Sequence, residues 1–475
     1  MTEISALSAT ELSAKIRSGT VSSVEVVTAY LQRIDALNGA INAIVSRVDT
    51  DLVLAEAQAC DADLVAGRWR GFLHGMPLAV KDLSEVAGIR CTYGSPLFAD
   101  FIPDFDDIHV ERMRAAGAIF IGKTNTPEWG FGSHSYNPVF GTTRNPYDLT
   151  KSAGGSSGGA AAGLAARLLP LADGSDMMGS LRNPAAFNNV VGFRPSFGRV
   201  PSGPGPDLYQ HQLSTAGPMG RSVRDVAALL AIQSGYDARD PWSLPLEPME
   251  LGEQPSWRGR RIGWLGDYGG YLPFEAGVLD LDRSALKVFE DLGMAVDEVL
   301  PDFDMDRLWW AWTTLRSWLT VGSMQAIYED PARRALLKPE ILWEIRHGLR
   351  VTAADIHEAS KIRSAWYKTC LSLFETYDFL ILPSAQVFPF DADMPWPREV
   401  DGRKMDTYHR WMEVVIGPSM AGLPVAAMPA GFAGNGTSGL PNGIQIVGPP
   451  RGDRETLRLA LAYEEATDWL KRSAR

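Results

Sequence analysis

Cysteine is scarce in this 475-residue chain. The three present, Cys60, Cys91 and Cys370, are odd in number and far apart. They form neither a disulfide framework nor a zinc spacing, and read as small core residues. Histidine is nearly as sparse, at seven. None sits in an HExxH motif, and HEAS at 357–360 lacks the second histidine of a paired ligand set, so no metal is implied. Positive charge is also short: 45 Lys and Arg face 57 Asp and Glu, a net charge of −12. Nucleic-acid binding needs a basic face, so no nucleic-acid partner is expected. No uncharged apolar run reaches the length of a membrane span. The polar N-terminus MTEISALSATELSAKIRSG lacks the apolar centre of a signal peptide. A cytoplasmic location is the expectation.

What is present is a mixture of helical and strand patterns. Ser8-x-x-Glu11 and Ser22-x-x-Glu25 read as capping boxes. Val26, Val27, Tyr30, Leu31, Ile34 and Leu37 recur at helical spacing. Short apolar runs predict buried strands at 76–80, 118–122, 261–266, 378–383, 424–429 and 443–448. Helices are predicted near 158–168, 222–234, 279–293, 352–376 and 453–468. Such alternation favours an α/β architecture with helices covering a sheet. The proline-rich stretch 240–257 is a candidate linker, without a clean domain boundary.

Three stretches carry candidate chemistry. KSAGGSSGGAAAG at 151–163 sets Ser156 and Ser157 among glycines. Alone, it reads either as a turn feeding a helix or as a loop holding a nucleophile or proton relay. It matches G-x-S-x-G twice, but the polar NPYDLTKSA before it is not the buried strand that a nucleophile elbow follows. No Lys-Ser/Thr follows its glycines, so it is not a phosphate loop. In GMPLAVKDL, Lys81 ends an apolar run. A lysine there snorkels out, pairs with Asp82, or is buried with its charge suppressed. The third stretch, LADGSDMMGSLRNPAAF at 171–187, puts Ser175, Asp176, Gly179, Ser180 and Arg182 at a strand's exit.

In order and spacing these stretches resemble the amidase signature family. Its G-x-P-x-x-V-K-D is matched by Gly75, Pro77, Val80, Lys81 and Asp82. Its GGSSGG is intact at 154–159, and its D-x-G-G-S-I/L-R-x-P-A appears as DMMGSLRNPA at 176–185. The likeness continues in GKTNTPEWG (122–130), NPYD (145–148), GFRPSFGRVP (192–201), GPMGRSVRD (217–225), GLPVAAMPAG (422–431) and LPNGIQIVGPP (440–450). It is weakest between about 236 and 420.

The resemblance implies an α/β amidase signature fold, with a large mixed central β-sheet covered by helices on both faces. It implies one domain over 1–475, a catalytic core at about 70–225 and a variable substrate-shaping region at about 236–420. It further implies a Ser–cis-Ser–Lys triad. Ser180 would be the nucleophile, Ser156 the relay after a cis peptide bond from Gly155, and Lys81 the base. A serine hydroxyl needs such a base. A lysine must fall from about 10.4 to near 7 to serve, which burial can achieve. Backbone N–H groups of Met177, Met178, Gly179 and Ser180 would form the oxyanion hole. Ser157 and Ser175 would hydrogen-bond the triad, and Asp176 and Arg182 would brace the loop.

Met178 departs from the family, which usually has glycine there. If that position needed positive φ, methionine would be strained. The expectation is a tolerated conformation with the side chain lining the pocket.

Water would be the second nucleophile, so no cofactor and no metal are implied. The expected activity is hydrolysis of C–N bonds with broad specificity for aryl amides and anilides, esters or carbamates. Trp309, Trp310, Trp312, Trp318 and Trp343, with Tyr328, read either as helix packing or as an aromatic pocket. Two alternatives stand beside this reading. One is the amidase component of a glutamine-dependent amidotransferase, supplying ammonia to a tRNA-linked substrate with a partner chain. The other is a non-catalytic binding protein, against which the intact Lys81, Ser156 and Ser180 argue. A homodimer remains open.

Overall fold

A computed structural model describes residues 3–210, 212–434, 439–472 and 474. Each apolar run read as a strand forms one. In spatial order the main sheet holds Ala295–Glu298, Arg261–Trp264, Phe379–Pro383, Pro441–Val447, Val425–Phe432, Val191–Arg194, Thr215–Gly220 and Leu171–Asp176. The first three run parallel and every later neighbouring pair is antiparallel, so the sheet is mixed.

The alternation of side chains explains its two covered faces. Ala426, Met428 and Ala430 point into one core, shared with Leu230, Phe289 and Leu457. These come from the helices Val223–Gln233, Val278–Asp291 and Asp453–Glu465. Ala427 joins the opposite core with Ala161, Leu164 and Ala185. These come from the helices Gly158–Ala165 and Arg182–Asn188.

Val191–Arg194 and Thr215–Gly220 carry no apolar run and escape the periodicity. Their glycines answer to crowding: a Cβ on Gly217 would meet the Phe193 carbonyl oxygen at 2.4 Å. Neighbouring backbone occupies the space a side chain would need.

A second sheet orders Ile44–Val45, Ile119–Thr124 and Pro77–Lys81. It is stitched to the main one where the Lys81 N–H donates to Asp173 Oδ1 at 3.0 Å. Both predicted capping boxes form. The candidate linker 240–257 instead packs down, burying Met249, Leu251 and Trp257 against the main sheet's core.

Candidate active site

Every side chain of the strand Pro77–Lys81 is buried, including the lysine that ends it. Lys81 neither snorkels nor pairs with Asp82, whose carboxylate accepts from the Thr92 N–H and hydroxyl instead. Its Nζ lies in a cage of hydroxyls: Ser156 Oγ at 2.8 Å, Ser157 Oγ at 2.9 Å and Ser175 Oγ at 3.1 Å, with the Ser175 carbonyl at 3.3 Å. Burial pulls its pKa down to about 7, against the opposing charges of Asp173 and Asp176. An amine so placed is half neutral near neutrality and can accept a proton.

Two loops bring the serines there. The Gly155–Ser156 peptide bond is cis, and the helix Gly158–Ala165 begins two residues after Ser156. The strand Leu171–Asp176 carries Ser175 and opens into the turn that holds Ser180. The two loops are joined where the Ser157 N–H donates to the Ser180 carbonyl at 3.2 Å.

Asp176 organises the second loop. Its carboxylate accepts from the Gly179 N–H at 2.8 Å and the Leu181 N–H at 3.1 Å. It also accepts from Arg182 Nε and Nη2, each at 2.9 Å, and from Arg194 Nη1 at 3.2 Å. Burial alone would raise this carboxyl's pKa, but the two guanidinium groups hold it well below the usual range. Arg182 ties the turn further to Ser419 and Gln445.

Gly179 has φ 77°, and a Cβ there would meet Asn183 Oδ1 at 2.1 Å. Glycine is therefore required on both counts. Met178 is not among the residues of positive φ, so the departure from the family motif falls where methionine is unstrained. The Gly179 N–H is taken by Asp176, which corrects the expectation that it faces an oxyanion. The N–H groups of Met177, Met178 and Ser180 find no acceptor among the described residues.

A cavity of about 290 Å³ opens beside these loops, and Ser156, Ser175 and Ser180 all line it. Trp129, Phe131, Met177, Met178, Leu319 and Met324 make most of the wall apolar. No tryptophan of 307–343 lines it. The helix Met305–Glu329 turns Arg316, Leu319, Thr320 and Ser323 to the cavity, while Trp309 and Trp312 pack in the core. The aromatic walls come instead from Trp129 and Phe131, inside and just beyond a motif stretch noted only for its likeness. Trp129 is stacked on Tyr93 at 4.7 Å. No His/Cys/Asp/Glu cluster among the described residues could hold a metal, and His211 lies outside them. No helix among them is long and apolar enough to cross a membrane.

The Amidase family model matches residues 25–457. The chain is 37% identical to a glutamyl-tRNA(Gln) amidotransferase subunit of Thermus thermophilus, covering 96% of each chain. Among solved structures it is similar to a bacterial aryl acylamidase of the amidase signature enzymes. That match has a TM-score of 0.91 at 29% identity, over 98% of this chain and 97% of the other. The corresponding glutamyl-tRNA(Gln) amidotransferase subunit of Thermotoga maritima superposes with a TM-score of 0.76 at 26% identity, over 98% and 96% of the two chains.

Proposed function

The chain belongs to the amidase signature family, whose enzymes act on amides, and from that premise we propose that it hydrolyses aryl amides and anilides, with esters and carbamates as further substrates, through an acyl-enzyme on Ser180. The observation that carries this reading is Lys81 in its hydroxyl cage, with its pKa drawn to about 7, beside a cavity that Ser180 lines.

In the first half-reaction Ser180 Oγ attacks the scissile carbonyl carbon. Its proton passes to Ser156 Oγ, and the Ser156 proton passes to Lys81 Nζ. The developing oxyanion meets the N–H groups of Met177, Met178 and Ser180, with Gly179 reserved for Asp176. The C–N bond then breaks as Lys81 returns its proton through Ser156 to the leaving nitrogen. In the second half-reaction a water repeats the attack on the Ser180 ester. It gives up its proton along the same route, Lys81 returns that proton through Ser156 to Ser180 Oγ as the acyl–oxygen bond breaks, and the acid leaves. Ser157 and Ser175 hold the amine in line, and Asp176 with Arg182 fixes the loop.

The apolar wall with Trp129 and Phe131 supports an aryl or other apolar substrate group. The 37% identity to an amidotransferase subunit supports a second reading, in which glutamine is the substrate and a partner chain receives ammonia. Labelling with a serine-directed phosphonate, followed by mapping of the adduct, tests the chemistry. Ser180 is the expected site; an adduct on Ser156 or Ser157 with Ser180 free reverses the assignment. Comparing an acyl p-nitroanilide with L-glutamine separates the substrates. Ammonia release from glutamine beside an inert anilide would establish the second reading.

A further inference from the structure

Arg316 is the one charged side chain that lines the cavity among the described residues. It is 8% exposed and held on three sides. Nε donates to Glu344 Oε1 at 2.7 Å, and Nη2 donates to the Tyr408 hydroxyl at 3.1 Å. The guanidinium carbon stands 4.9 Å from the centre of the Phe131 ring and 5.8 Å from that of Trp312. Glu344 is itself fixed, accepting from the Ser317 hydroxyl at 2.5 Å and the Tyr408 hydroxyl at 2.7 Å. The remaining nitrogen, Nη1, meets the Met177 thioether, at 2.9 Å, and no other acceptor among the described residues. Sulfur is a weak acceptor for a cationic donor. Met177 stands three residues before Ser180 on the same loop.

We propose that Arg316 is a specificity-determining residue whose Nη1 donates a hydrogen bond to an uncharged oxygen of the substrate, a carbonyl or ether oxygen set away from the scissile bond, displacing the Met177 thioether. This rests on the reading of the cavity as the substrate site. Glu344 and Tyr408 hold the fork still, so little freedom is lost when an oxygen arrives. A substrate bearing such an oxygen exchanges a sulfur acceptor for a better one. A hydrocarbon of the same shape leaves Nη1 on sulfur.

The charge balance selects a neutral oxygen over a carboxylate. Glu344 already compensates Arg316. His409, whose Nε2 is 3.7 Å from Glu344, is pushed down to about 3 by burial and adds no cation. A substrate carboxylate would bring a second anion towards one guanidinium, at a desolvated site. Glutamine, with its α-carboxylate, is therefore a poor fit to this wall.

Two pairs of anilides of matched shape test the proposal. On the acyl side, 4-methoxybutyranilide is set against hexananilide. On the amine side, 4-methoxyacetanilide is set against 4-ethylacetanilide. In one pair the oxygen-bearing member should win by about tenfold in kcat/KM, the scale of a hydrogen bond to a charged donor, and chiefly through KM. The double variant Arg316→Met with Glu344→Gln removes the donor without stranding a buried charge, and should bring that ratio to about one. Arg316→Lys, which keeps the ion pair but not the planar fork, should lower it as well if the double variant does not fold. A merely structural role would slow both members alike and leave the ratio intact, which overturns the proposal. Equal rates within both pairs in the unmodified protein also overturn it. Hydrolysis of none of the four would overturn the parent reading with it. Ratios of one beside ready hydrolysis would overturn this inference alone.

Discussion

If Lys81 is the base, its neutral form carries the reaction and the rate follows its titration. Burial lowers its pKa from 10.5 to about 7, a difference of about 5 kcal/mol between the two protonation states. On that titration about nine-tenths of the enzyme is competent at pH 8, about one-tenth at pH 6 and about one-hundredth at pH 5. Asp173 pulls the other way, since its negative charge favours the ammonium. Asp173→Asn keeps a side-chain oxygen to accept the Lys81 N–H but removes that charge. His109, 3.7 Å from Asp173, loses an anion too and moves towards its neutral form; the positive charge so lost offsets part of the shift, but the charges that act on Lys81 are those of Asp173 and Asp176. The acid limb should therefore shift to lower pH in the variant, which would retain a larger share of its plateau rate at pH 6 than the parent does. The assay is kcat/KM for an anilide across the range from about pH 5 to 9, with circular dichroism at each pH to establish that the fold persists. A limb that moves upward in Asp173→Asn refutes the argument. So does a folded parent enzyme whose rate at pH 5 lies within about threefold of its plateau, since a general base with this pKa would be almost wholly protonated there.

Other expectations follow from the same geometry. Lys81→Met should abolish activity yet raise stability at pH 6, because unfolded lysine holds its proton up to about 10.5 and the buried one only up to about 7. The penalty grows as pH falls through that window and is constant below it. Urea unfolding should thus show a gain of about 2 kcal/mol at pH 6, after about 3 kcal/mol is lost with the hydroxyl contacts, and a net loss of about 2 kcal/mol at pH 10, where little of the penalty remains; an equal change at both would count against a buried neutral amine. Gly179→Ala should cost about 1–2 kcal/mol for the left-handed backbone alone, with the clash on Asn183 in addition. It should lower kcat more than KM, read from steady-state kinetics. Trp129→Ala should lower kcat/KM for anilides by about thirtyfold, or about 2 kcal/mol, while leaving acetamide nearly unaffected. An equal fall on both substrates would remove the aromatic wall from the argument.

The parts of the fold that were legible in the sequence are those where one local pressure acts. FLIL in Phe379–Pro383 and IQIV in Pro441–Val447 read as strands because burial in a central sheet demands apolar runs. TAGPMG and VGFR did not, because there the packing of backbone against backbone demands glycine, and glycine erases the hydrophobic signal. The helix Met305–Glu329 hid for the opposite reason. Its middle, 311–320, is buried nearly all round, so no single apolar stripe runs through it. Its tryptophans drew attention to the wrong face, although Arg316, Leu319, Thr320 and Ser323 keep a helical spacing that could have named the other one. The hydroxyl cage was legible at long range only through motif likeness, since nothing in periodicity brings residue 81 to residue 156. The use of the Gly179 N–H shows the limit of that likeness. A motif conveys which residues share a loop, but Asp176 sits close enough to claim one donor, and only the turn's geometry tells which. The cavity wall lies beyond both routes. It joins the loop at Trp129 and Phe131, the turn at Met177 and a helix more than 130 residues further on, and Arg316 meets Met177 only because Glu344 and Tyr408, from two further elements, aim it there. Chemistry common to a family is written in short contiguous words, whereas the choice of substrate is written in contacts among segments that share no word at all.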